Sequence, residues 1–129
     1  MDTERPKRTI VCLCVSTWFL PTFELGNRYE TLKGNIVVTI GADLKVRDRA
    51  FLEQTKTPTE LDEIKKELER LHKDKVRLAD EVLVLDIDGP HKIGTSTQEE
   101  VDLATSLGKK VRWWSEEGGL KRDLRGTAP

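Results

Sequence analysis

Residues 9–15 read TIVCLCV, a continuous run of β-branched and other apolar side chains. An unbroken apolar run of this length is typical of a central parallel strand that is covered on both faces. Residues 81–86, EVLVLD, have the same character. Two such strands predict a parallel sheet with helices packed on both sides.

Two shorter segments, residues 35–40 (NIVVTI) and 111–115 (VRWWS), complete the predicted sheet. A helix is expected to begin near Pro21 and to end at Gly34. Residues 41–56 predict a loop with a short helix. Thr57, Pro58 and Glu60 form a capping-box pattern before a long helix to about residue 79. One stripe of that helix holds Leu61, Ile64, Leu68, Leu71 and Leu78. Ser96 or Thr97 is expected to cap a further helix to about residue 107.

This order of elements predicts the α/β class, with a single Rossmann-like three-layer sandwich around a four- or five-stranded parallel sheet in the order 2-1-3-4. The long helix would be the right-handed crossover to the third strand. We expect one domain over residues 1–129, with residues 1–8 and 117–129 flexible or peripheral.

The composition excludes several classes of protein. Among 129 residues, 22 Lys and Arg balance 23 Asp and Glu, whereas nucleic-acid and anionic-membrane binders need a basic excess. No apolar run is long enough to span a membrane, and Asp2 and Glu4 argue against a signal peptide. Cys12 and Cys14 would lie on one face of a strand as free thiols, without the further His or Cys ligands that a zinc site needs. We therefore expect a cytoplasmic protein without a metal or organic cofactor.

A ligand is expected beyond the carboxyl ends of the first and third strands, where the strand order reverses. The segments there are residues 15–18 and 86–100. The second segment carries Asp86, Asp88, His91, Glu99 and Glu100. Asp86 and Asp88 would point the same way if the strand continues, and only one of Glu99 and Glu100 can face the sheet.

Each of these residues also has a purely structural interpretation. Ser96, Thr97 and Glu100 could form a helix cap with an acid in the first turn. His91 could be a polar loop residue, and His72 an exposed residue of the long helix. No nucleophile, histidine and carboxylate fall into the arrangement of a catalytic triad.

Three segments together resemble the nucleoside 2-deoxyribosyltransferase-like superfamily, and its small bacterial and phage members in particular. They are VCLCVSTWF at residues 11–19, LADEVLVLD at residues 78–86, and IGTSTQEEV at residues 93–101 with Ala104, Gly108 and Lys109 after it. The resemblance covers most of residues 9–115.

The resemblance implies cleavage of the N-glycosidic bond of a nucleoside or nucleotide, by hydrolysis or by transfer of the deoxyribosyl group. Its nucleophile would be Glu100, expected at a solvent-accessible helix N-terminus, because Val101 and Ala104 follow it as in the family. Asp86 or Asp88 would position the sugar or the departing base. Ser16, Thr17, Ser96 and Thr97 would line the sugar or phosphate side.

The chain departs from the family pattern at four positions. Val15 replaces a glycine, and Trp18 replaces an arginine that could pair with phosphate, which favours nucleosides over their monophosphates. His72 and Gly94 stand where the family has aspartates, which makes them candidate substrate contacts.

Two other classes of function stay open at this point. One is a non-catalytic module of the same fold that binds a nucleoside or nucleotide, and the other is a small interaction protein that uses the helix at residues 57–79. The family also implies a homodimer. Adjacent Trp113 and Trp114 must point to opposite faces of the sheet, and we expect one indole to lie at or beside the dimer interface.

Overall fold

The computed structural model describes residues 7–15, 20–39 and 49–117. These residues form four strands and four α-helices in the predicted order, with two helices between the second and third strands. The elements are β1 (Ile10–Cys14), α1 (Leu20–Leu32), β2 (Ile36–Val38), α2 (Arg49–Thr55), α3 (Pro58–Leu78), β3 (Glu81–Val84), α4 (Thr95–Ser106) and β4 (Lys110–Trp113). A short 3-10 turn, Trp114–Glu116, follows β4.

The sheet has the predicted topology. All three pairings of strands are parallel, and the spatial order is β2-β1-β3-β4. Cys14 lies opposite Val84, and Val84 lies opposite Trp113, so these three residues form one row across the carboxyl edge of the sheet. The α/β class and the Rossmann-like sandwich are confirmed.

Two separate cores lie on the two faces of the sheet, because alternate strand residues point in opposite directions. On one face, Cys12 and Cys14 pack with Val82, Val84 and residues of α3 and α4. On the other face, Val11, Leu13, Leu83, Leu85 and Trp114 pack with Leu25 and Tyr29 of α1. The helices therefore form the outer layers of a three-layer sandwich.

Cys12 and Cys14 behave as the spacing predicts. Both lie in the same core cluster, and both are free, buried thiols. The pKa of the Cys14 thiol is raised by its hydrogen bond with Cys12 and by burial. A buried neutral thiol is a poor nucleophile, so these residues belong to the core.

The strands are shorter at their carboxyl ends than the sequence suggests. β2 ends at Val38 and β3 ends at Val84, two residues before each predicted end. Beyond Val84 the chain turns, so Asp86 is buried whereas Asp88 is exposed. Since β3 ends at Val84, the condition under which Asp86 and Asp88 would point the same way is not met.

The capping box of α3 is present as predicted. The Glu60 backbone N–H donates to Thr57 Oγ1 at 3.1 Å, and the Thr57 backbone N–H donates to Glu60 Oε1 at 2.8 Å. The helix has 21 residues, or about 31 Å at 1.5 Å per residue, whereas the strands have three to five residues. Because α3 runs antiparallel to the strands, its first half extends past the carboxyl edge. Val76 is its one buried residue.

Trp113 and Trp114 point to opposite faces, as predicted. Trp114 has left the strand for the 3-10 turn, is only 1% exposed, and meets the Tyr29 ring edge-on at 5.0 Å between centroids. Trp113 is half-buried on the other face and is stacked against His91. The second indole is thus covered in part by the protein's own loop.

A cluster of ion pairs around Arg112 connects β4 to α1. The Arg112 guanidinium reaches Glu30 Oε1 at 3.0 Å, Glu81 Oε1 at 3.0 Å and Glu117 Oε2 at 2.9 Å. The Tyr29 hydroxyl donates to Glu117 at 2.9 Å. This cluster joins α1, β3, β4 and the residue after the 3-10 turn.

Candidate functional site

Glu100 lies on α4 near the carboxyl end of β1. Its side chain is half-buried and hydrogen-bonded with the Cys14 thiol. Burial raises the pKa of the Glu100 carboxyl, while the Cys14 hydrogen bond and the positive charge of Lys73 lower it without cancelling that effect. The expectation of a solvent-accessible position at the helix N-terminus is wrong, because Glu100 is the sixth residue of α4 and faces the sheet.

Glu99, the neighbour of Glu100, points elsewhere. It is exposed, and its carboxylate lies 3.5 Å from Lys73 Nζ of α3. The prediction that only one of the two glutamates faces the sheet is confirmed. The Lys73–Glu99 pair joins α3 to α4 beside Glu100.

Asp86 is buried, and its carboxylate is satisfied by three hydrogen bonds within the protein. Oδ1 accepts from the Ser115 backbone N–H at 2.9 Å, and Oδ2 accepts from the Ser115 hydroxyl at 2.6 Å and the His91 backbone N–H at 2.8 Å. At 1% exposure, Asp86 ties the loop after β3 to the end of β4. These bonds leave it little capacity to bind a sugar.

His91 and Glu116 form an exposed pair next to Trp113. The His91 ring stacks on the Trp113 indole with 3.7 Å between centroids and 13° between planes. Its Nε2 lies 2.6 Å from Glu116 Oε2. The His91 backbone has a φ of 58°, a left-handed conformation that is uncommon for histidine.

His72 lies on α3, one turn before the buried Val76 and thus nearer the carboxyl edge. Its ring is half-buried rather than exposed, and its Nε2 has no hydrogen-bond partner among the described residues. Burial and the nearby Lys75 lower the pKa of His72, which favours the neutral ring. A neutral imidazole at this place can donate or accept one hydrogen bond to a ligand.

The N-terminus of α4 differs from the predicted cap. Gly94 is the N-cap residue, and no side chain caps the helix. Ser96 is exposed and Thr97 is buried in the first turn, so neither serves as the cap. The expected cap fails because the helix begins at Thr95, two or three residues earlier than a Ser96 or Thr97 cap requires.

Ser16, Thr17 and Trp18 lie outside the described residues. Their part in the site stays a prediction.

Within the described ranges, no three His, Cys, Asp or Glu side chains come together to hold a metal ion. Over the same ranges, no helix has the length and apolar character to cross a bilayer. A shallow open cleft lies along α2 and α3, with Lys56, Ile64 and Arg70 in its lining, and includes none of the predicted site residues.

Sequence reasoning missed the group formed by Trp113, Ser115 and Glu116. The signal was available, because these residues end or follow the fourth strand and the rule about carboxyl ends applies to every strand of such a sheet. The contact of Glu100 with Cys14 had no such signal, since an apolar run gives no reason to single out one thiol.

The fold and this edge define an α/β protein of Rossmann-like architecture with a half-buried carboxyl at its switch point. No protein-family model matches the chain, and no curated protein matches it significantly.

Proposed function

We propose that this protein cleaves the N-glycosidic bond of a nucleoside or nucleotide, with Glu100 as the nucleophile. The observation that supports this most is the position of Glu100, half-buried beside Cys14 where the strand order reverses. Ligands of such sheets bind at this point. A carboxyl with a pKa raised by burial, next to such an edge, is a candidate catalytic group.

The chemistry needs a carboxylate that is poorly solvated and held in place. A Glu100 oxygen would form a bond to the anomeric carbon while the bond to the base breaks and its electron pair leaves with the base. Water would then cleave the sugar–glutamate ester and restore the carboxylate. If a second base took the place of water, the outcome would be transfer.

The test is release of free base. The protein is incubated with a panel of ribo- and deoxyribonucleosides and their 5′-monophosphates, and the free base is measured by chromatography. We expect release from at least one nucleoside, and a sugar adduct on Glu100 by mass spectrometry when a slowly hydrolysed fluorinated analogue is used.

Glu100→Gln and Glu99→Gln are the matched pair of variants. Both remove one carboxylate from adjacent positions of α4, but only Glu100 faces the sheet. We expect Glu100→Gln to abolish base release and Glu99→Gln to retain it, with both variants folded. Loss of activity in Glu99→Gln alone would move the nucleophile by one residue, and activity in both variants would refute the mechanism.

A non-catalytic module that binds nucleosides is the second candidate. The burial of Asp86 supports it, because one of the two acids expected to assist catalysis is occupied by Ser115 and His91. Calorimetry that shows nucleoside binding without base release would favour this module. Absence of both binding and release would leave an interaction protein, for which the exposed Leu71 and Leu78 of α3 offer a surface.

A further inference from the structure

His91 is fixed by contacts to three parts of the fold. Its ring stacks on Trp113 of β4, its Nε2 meets Glu116 of the 3-10 turn at 2.6 Å, and its backbone N–H donates to Asp86 at 2.8 Å. The side chain is nevertheless 49% exposed. The imidazole is therefore held in one orientation with part of its ring open to a ligand.

This arrangement suits proton transfer. When the imidazole is protonated, Nε2–H donates to Glu116, and Nδ1–H remains to be donated elsewhere. The Glu116 carboxylate orients the imidazole, as the third group does in catalytic pairs of a base and its orienting acid. The stack on Trp113 prevents the ring from turning away.

His91 and Glu100 lie over the same row of the sheet. Glu100 contacts Cys14 and His91 contacts Trp113, and these two residues flank Val84 in the row. Since neighbouring strands are about 4.8 Å apart, the two ends of the row are separated by about 10 Å. Cys14 and Val84 of the row are buried, so a nucleoside that faces both groups would lie beyond the edge of the sheet, with its sugar toward Glu100 and its base toward His91.

We propose that His91 is the general acid that protonates the departing base, an inference that rests on the proposed function. As the Glu100 oxygen bonds to the anomeric carbon, the C–N bond breaks, and the base keeps its electron pair and takes the Nδ1 proton of His91. When water later cleaves the sugar–glutamate ester, its hydroxyl goes to the sugar and its proton returns His91 to the imidazolium.

Asp86 supports this role indirectly. Its carboxylate accepts from the His91 backbone and from Ser115, so it holds the loop in the conformation that carries the imidazole to Trp113. Asp86 is thus a positioning residue. From the sequence we expect Asp86 or Asp88 to position the sugar or the departing base, whereas Asp86 here positions the loop that carries His91.

The test compares two leaving groups. One substrate is the best natural nucleoside, and the other is the 4-nitrophenyl glycoside of the same sugar, whose nitrophenolate departs without a proton. His91→Asn removes the imidazole while Asn tolerates the left-handed backbone, and Lys92→Ala is the control in the same loop. Thermal unfolding checks that each variant is folded.

For His91→Asn we expect kcat/KM to fall about 100-fold or more on the nucleoside and to change little on the nitrophenyl glycoside, because kcat/KM reports formation of the sugar–glutamate ester and not its later cleavage by water. Lys92→Ala should match the parent on both, and Glu100→Gln should lose both. Equal losses on the two substrates, or no loss on either, would overturn the role of His91 while leaving the proposed function in place. Failure of the parent protein to release any base would instead remove the proposed function, and this inference with it.

Discussion

Replacement of Arg112 by methionine should destabilise this fold more than any loss of a surface ion pair. The Arg112 side chain is 9% exposed, and its partner Glu30 is fully buried at 3.0 Å. Removing the guanidinium leaves the Glu30 carboxylate buried without its main counterion, and takes one partner from both Glu81 and Glu117. Breaking a buried pair in this way costs about 3–5 kcal/mol. That is a large share of the roughly 5–15 kcal/mol that stabilises a typical domain.

The assay is urea unfolding followed by tryptophan fluorescence and circular dichroism. Arg77→Met is the matched control, because Arg77 pairs with Asp74 at 2.7 Å but both side chains are more than half exposed. An exposed pair contributes about 0–1 kcal/mol. We also expect Arg112→Met combined with Glu30→Gln to recover part of the loss, since the unpaired charge is then absent. A loss in Arg112→Met no larger than that in Arg77→Met would refute the reasoning.

Three further predictions concern acid stability, substrate and assembly. Burial opposes ionisation of Glu30, but hydrogen bonds from Arg112 and Asn35 prevail and lower its pKa. The contribution of Glu30 to the free energy of unfolding is therefore present above the unfolded glutamate pKa of about 4.3, and it is lost as the pH falls below that value. The difference in unfolding free energy between the parent and Glu30→Gln should therefore shrink between pH 6 and pH 3, and a constant difference would contradict this. Nucleosides should be cleaved at least as well as their 5′-monophosphates, because the superfamily that the sequence resembles has an arginine for phosphate where this chain has Trp18. A hundred-fold preference for a monophosphate in kcat/KM would show the opposite. We expect a homodimer with Trp113 at or beside the interface, measured by light scattering and acrylamide quenching, and a monomer at high micromolar concentration with protected indoles would exclude it.

The strands could be predicted because burial on both faces leaves a strong mark on a sequence. The runs that contain Leu13 and Leu83 are apolar at successive positions, which a half-exposed strand or a surface helix would not tolerate. The cap of α3 could be predicted as well, because the side chains of Thr57 and Glu60 each accept a hydrogen bond from the other residue's backbone N–H and need no other part of the fold. Both features could be predicted because each depends on residues that are consecutive or nearly consecutive in the sequence.

The ends of the strands could not be predicted in the same way. Leu85 and Asp86 are as buried as the strand before them, yet their backbone has already left the β3–β4 ladder. Asp86 is instead hydrogen-bonded to Ser115, which is 29 residues away in the chain, and such a contact leaves no local pattern in the sequence. The start of α4 and the position of His91 could not be predicted either, because the loop between them depends on tertiary contacts with β4.

The carboxyl edge of the sheet consequently holds two kinds of polar residue, those whose polar atoms are all used within the protein and those that are open to a ligand. Asp86 uses its oxygens inside the protein, and its removal should act on the loop as a whole. Glu100 and His91 each keep part of their side chain open while one side is held, by Cys14 in one case and by Trp113 and Glu116 in the other. Burial raises the pKa of the Glu100 carboxyl, so its ionised form is less stable here than in water and does not favour folding. A carboxyl held in this way, at the edge where ligands bind, is a candidate for chemistry.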